Sequence, residues 1–115
     1  MPTYVSLMKW TEKGIGAVKE TTKRADAARA AARRLGGKLN TILYTQGSYD
    51  AIAITEFPDE DSAMAFLLGT GMQGNVRTET LRAFTPAEME RIFGKMGDGT
   101  GAAGGASKAG AATKR

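Results

Sequence analysis

An α+β fold is predicted for this chain of 115 residues by three observations. Apolar and polar residues alternate with period two in four short runs, the mark of strands. Apolar or small residues recur at helical spacing in three longer runs. The order strand, helix, strand, strand, helix, strand, helix makes two split strand-helix-strand units, hence a ferredoxin-like sandwich with a four-stranded antiparallel sheet and helices on one face.

The first strand is YVSLMKW, residues 4–10, with Val5 and Leu7 on one face and Tyr4, Ser6, Met8 and Trp10 on the other. Apolar contacts on both faces make it a central strand. After the short turn TEKGIG, the run TKRADAARAAARRLGG places Ala25, Ala28, Ala32 and Leu35 at helical spacing and stops at Gly36-Gly37. A stripe of small residues lets this helix lie close to a sheet. Lys23, Arg24, Arg29, Arg33 and Arg34 are expected on its solvated side, with Glu20–Arg24 and Asp26–Arg29 as helix pairs.

KLNTILYTQ and YDAIAITEF flank Gly47-Ser48 as an antiparallel hairpin. Pro58 ends the second of these strands and Asp59 caps a helix, with Glu60 and Asp61 at its positive end. Ala63, Met64, Phe66, Leu67 and Leu68 are expected to form the buried side of that helix, and Gly69, Gly71 and Gly74 to break it up. GNVRTETLRAF supplies the last strand, with Gly74 and Asn75 setting its start. In TPAEMERIFGKM, Thr85 caps, Pro86 takes the first helical position and Glu88 completes a capping box. The ferredoxin-like domain is expected over residues 1–96, and residues 97–115, rich in glycine and alanine with no bulky apolar residue, form a flexible tail.

The sheet has a second face. With Val5, Leu7, Ile52 and Ile54 turned to the helices, that face carries Tyr4, Met8, Trp10, Tyr49, Ala51, Ala53 and Phe57. So much apolar surface is expected to be covered by a second copy of the chain, as a homodimer or higher homo-oligomer, the alternative cover being the last helix folded over it.

Composition removes several function classes. The chain has neither histidine nor cysteine, which excludes histidine general bases, thiolate nucleophiles and thiolate or imidazole metal sites. No carboxylate loop has the spacing of a calcium hand, so no metal and no cofactor is expected. The 42% hydrophobic content contains no run of membrane-spanning length, and the first residues lack the pattern of a secretory signal. A cytoplasmic protein with no membrane contact is therefore expected. The formal net charge of +4 raises nucleic-acid binding, but no sheet motif of basic and aromatic residues accompanies it, and nucleic acid is not an expected partner.

Candidate site residues are few. Tyr49 and Asp50 are adjacent, so on a strand they face opposite sides and cannot act on one ligand. Tyr49 is expected in the cavity between the sheets, and Asp50 on the helix side or at the turn, accepting backbone or cationic hydrogen bonds. Arg77 and Glu79 share a face: the first suits an anion, the second a proton acceptor, and an ion pair across the dimer or a solvated strand edge is the plainer reading of both. Trp10 and Tyr4 line a cavity or pack. The triplet Gly69, Gly71 and Gly74 lacks the Gly-Lys-Ser/Thr ending of a phosphate loop.

Lys23-Arg24, Leu35-Gly36-Gly37, Gly47 with Tyr49-Asp50, Pro58-Asp59 and GNVRTET at 74–80, taken together, resemble the GYD domain family over about residues 2–95. The resemblance implies a dimeric α/β barrel, in which two ferredoxin-like subunits pack sheet to sheet around a central cavity. It brings no general activity with it. Related families include monooxygenases, isomerases, cyclases and haem-handling enzymes, many of which use a histidine absent here. Two functions are carried forward: a homodimer binding a small molecule between its sheets through Tyr49, Arg77 and Glu79, with or without cofactor-independent catalysis, and a non-catalytic interaction module using its surface and tail.

Overall fold

The structure, a computed structural model, describes residues 1–97. They belong to two compact units, Met1–Ala83 and the segment from Phe84 onward. The expected tail, from residue 98 on, lies outside the described residues.

In the first unit the chain runs β1 (Thr3–Trp10), α1 (Glu12–Gly16), a 3₁₀ turn (Val18–Glu20), α2 (Thr21–Arg34), β2 (Lys38–Tyr44), β3 (Ala51–Glu56), α3 (Glu60–Met72) and β4 (Val76–Ala83). The strands form one antiparallel sheet in the order β2-β3-β1-β4, the ferredoxin-like arrangement. β1 sits centrally, pairing Val5 with Ile54 on one side and with Leu81 on the other. A bulge between Leu39 and Thr41 interrupts the β2–β3 ladder.

The faces of the sheet are the reverse of the expectation. Tyr4, Ser6, Met8 and Trp10, with Ala51, Ala53 and Thr55, lie under the helices, whereas Val5, Leu7, Ile52 and Ile54 lie on the open face. The layer combines sizes: α2 presents Ala25, Ala28 and Ala32 and β3 presents Ala51 and Ala53, while β1 turns its larger Tyr4, Met8 and Trp10 to the same side. Ser6, Ala51, Ala53 and Thr55 are all buried. Phe57, 1% exposed, fills the core between Ala32, Leu39 and Ala63. Its burial contributes roughly 1.5–3 kcal/mol. Tyr4 and Phe66 pack on it with ring centroids 6.4 and 5.2 Å away.

Two other local expectations change. α3 runs through Gly69 and Gly71 to Met72, and the break comes at Gly74, whose φ of 77° suits glycine. Met64 and Leu68 are more than half exposed, leaving Ala63, Phe66 and Leu67 as the inward side of α3. Glu20 pairs with Lys23 rather than Arg24, at 3.4 Å. Asp26 does pair with Arg29, also at 3.4 Å.

The helix starts follow the local chemistry. Asp59 accepts the Ser62 amide at 2.7 Å to cap α3. In the second unit, α4 (Pro86–Met96) opens with a reciprocal box: the Glu88 amide donates to Thr85 Oγ1 at 3.2 Å, and the Thr85 amide donates to Glu88 Oε1 at 2.8 Å.

Candidate functional site

Two polar regions emerge, one on each face of the sheet. Tyr49 and Asp50 precede β3 rather than forming part of it. The loop is held from both ends: the Thr45 hydroxyl donates to the Tyr49 carbonyl at 2.5 Å, and the Asp50 amide donates to the Met8 carbonyl at 2.8 Å. Asp50 Oδ2 accepts the Trp10 amide at 2.9 Å, so this carboxylate ties the loop to the end of β1. Gly47, with φ of 104°, makes the turn.

Held this way, Tyr49 lies across the open face. Its hydroxyl donates to Glu79 Oε1 at 2.8 Å, and Lys9 Nζ stands 5.3 Å from the ring centroid. The hydrogen bond to Glu79, followed by the charge of that carboxylate, raises the Tyr49 phenol above its ordinary range, because both favour the protonated form. Arg77 stands opposite Lys9 in the β1–β4 register, on the same face as Glu79. Tyr49, Arg77 and Glu79 therefore do share a face.

Trp10 and Tyr4 do not join them, which corrects the five-residue grouping expected from the sequence. Both point to the helix layer, because their register partners Val76 and Thr55 do. Tyr4 is packed in the core, where its hydroxyl is buried without a hydrogen-bond partner among the described residues. Trp10 instead lines a cavity of about 250 Å³ between α2, α3 and the sheet.

Short side chains on α2 and at Ala51 leave this volume unfilled. Ala25, Ala28 and Ala31 of α2 look toward Met8, Ile42 and Ala51 of the sheet, and Ala65 and Phe66 of α3 close one side. Trp10, Tyr44, Thr21, Thr70, Gln73 and Asn75 add aromatic and polar surface. Arg24 and Arg34 are the charged residues of the lining. Arg24, expected on the solvated side of its helix, is half-buried; Nη1 donates to the Ala17 carbonyl at 2.9 Å and Nη2 to the Gly14 carbonyl at 3.3 Å. Gly74 and Asn75 fasten this end: the Thr11 hydroxyl donates to the Gly74 carbonyl at 2.6 Å and the Thr11 amide to the Asn75 carbonyl at 3.1 Å.

Among the described residues no cluster of three or more carboxylates is placed to hold a metal ion, and no helix is long and apolar enough to cross a membrane.

The family model for the GYD domain matches residues 4–93. The chain belongs to the GYD domain family. Among solved structures, the crystal structure of TTHA0845 from Thermus thermophilus is similar, with 23% identity over 74% of this chain and 95% of that chain and a TM-score of 0.47. A comparison with curated proteins found no match.

In this GYD domain, the Tyr-Asp pair divides into a bracing carboxylate, Asp50, and a phenol, Tyr49, that reaches the open face. Sequence reasoning missed the helix-side cavity and with it Arg24, Thr70, Gln73 and Tyr44. The available signal was the alanine repeat of α2 facing the alternating alanines of β3, an arrangement with too little side-chain volume to fill the layer between them.

Proposed function

We propose that this GYD protein is a binding protein for a small, largely apolar molecule, which it holds in the cavity between its helix layer and its sheet. The cavity itself carries the reading. At about 250 Å³ it exceeds the roughly 150 Å³ that admits benzene. Its lining is mainly alanine, aliphatic and aromatic, with a few polar groups, the usual make-up of a small-molecule site. Native mass spectrometry of freshly purified protein tests this. A retained adduct, lost when Ala28→Phe fills the cavity, is the expected result, and repeated absence of any adduct favours the non-catalytic interaction module.

The same protein is proposed to work as a homodimer joined through the open sheet face. Leu43 and Leu81 are 57% and 48% exposed there, beside the half-buried Val5, Leu7, Ile52 and Ile54. Tyr49, Arg77 and Glu79 border this apolar strip and would lie at the contact between copies. Sedimentation velocity is the test: a dimer is expected at micromolar concentration, dissociated by Leu81→Lys, and a compact monomer of the parent chain overturns the idea.

A further inference from the structure

Resting on the cavity reading above, we infer that the bound molecule is an apolar monocarboxylate of about ten non-hydrogen atoms, with its carboxylate held by Arg24 and its body beneath the alanines of α2. The size follows from volume, because a cavity of roughly 150 Å³ holds the six carbons of benzene and this one offers about 250 Å³. The charge follows from the lining. Both charged side chains are guanidinium groups and no carboxylate accompanies them, so the site favours an anion.

Arg24 and Arg34 are about 15 Å apart along α2, too far to share one small anion. Arg24 is the fixed one. Its bonds to the Ala17 and Gly14 carbonyls hold the guanidinium in one orientation and leave further N–H groups to donate. A carboxylate meeting it loses little side-chain entropy, since the protein has already ordered the arginine. Asn75 lines the same end of the cavity, and its side-chain amide takes part in no hydrogen bond among the described residues, so it can donate to the second carboxylate oxygen. Arg34 is exposed at the other end and lacks such supports. An apolar body then replaces water along Ala28, Ala31 and Phe66.

The chain has a single tryptophan, and it lines the cavity, so its fluorescence reports occupancy directly. Octanoate and octanamide are titrated into the full-length protein, two probes of one shape that differ in charge. Octanoate is expected to bind about tenfold or more tighter than octanamide, with the preference weakening as salt rises. In Arg24→Gln the preference collapses to about twofold or less while octanamide binding persists, showing that the cavity is intact. Arg24→Lys keeps an intermediate preference, and Arg33→Gln, altered on the solvated side of the same helix, keeps the full one. Equal binding of the two probes overturns the carboxylate inference and leaves the cavity reading standing. Loss of the preference in Arg34→Gln but not in Arg24→Gln overturns the assignment to Arg24. Absence of any fluorescence change with both probes overturns the cavity reading itself.

Discussion

The Tyr49 hydroxyl donates to Glu79 Oε1 at 2.8 Å, carrying a side chain from the β2–β3 loop across central β1 to edge strand β4. The contact raises the phenol, so whatever stability it contributes is fully present below the ordinary value of 10.0 and lost as pH rises through the raised one. Ultraviolet titration of the parent chain against Tyr49→Phe should show a late-forming phenolate that the variant lacks. In Glu79→Gln that late component should move down toward the ordinary value, and an unchanged titration would mean that the two groups do not meet in solution.

Tyr4→Phe is expected to stabilise the protein. The Tyr4 hydroxyl is buried without a partner among the described residues, and removing an unsatisfied polar group while keeping the ring recovers about 1 kcal/mol. Equilibrium urea denaturation gives the difference directly; a clear loss of stability would show that the hydroxyl has a partner.

Two glycine substitutions should act in opposite directions. A Cβ on Gly37 would collide with the Glu56 carbonyl and the Phe57 ring, both fixed by the core, so Gly37→Ala should cost roughly 1–3 kcal/mol. Gly71 lies in the last turn of α3 with open space where a Cβ would stand, and Gly71→Ala should add up to roughly 0.5–1 kcal/mol through helix propensity. Thermal melts of the pair against the parent chain decide both signs.

Asp59 predicts an acid-side dependence. The Ser62 backbone amide, and secondarily the Ser62 side chain, bond to its carboxylate and hold it below the ordinary value of 3.8. Its contribution is therefore present above that value and disappears as pH falls through the lowered one. Asp59→Asn, an equally good cap, should match the parent near neutral pH but lose this part of the acid dependence. Denaturation midpoints at about pH 7 and about pH 3 make the comparison.

Much of the fold was legible because its signals are local. The caps at Asp59 and Thr85, the glycine turn at Gly47 and the alternation of the strands each involve residues within a few positions of one another. From these the element order follows, and from the order the ferredoxin-like sheet. Legible also were the common face of Arg77 and Glu79, set by period two, and the separation of Asp50 from Tyr49.

What the tertiary structure alone decided was which face of the sheet meets the helices. β1 and β3 carry apolar residues on both faces, so alternation marks two sides without ranking them. The choice depends on the volumes of both layers together: Ala51, Ala53 and Ser6 lie with the larger Tyr4, Met8 and Trp10 on the side of the α2 alanines, and Val5, Ile52 and Ile54 lie outward. That one decision separates Trp10 from Tyr49 and opens the cavity. It also turns Arg24 from an expected surface charge into a fixed cation at the cavity edge. Residues far apart in the chain determine the volume left between two packed layers, and the alanine patterns of α2 and β3 signal it only once the two are known to face each other.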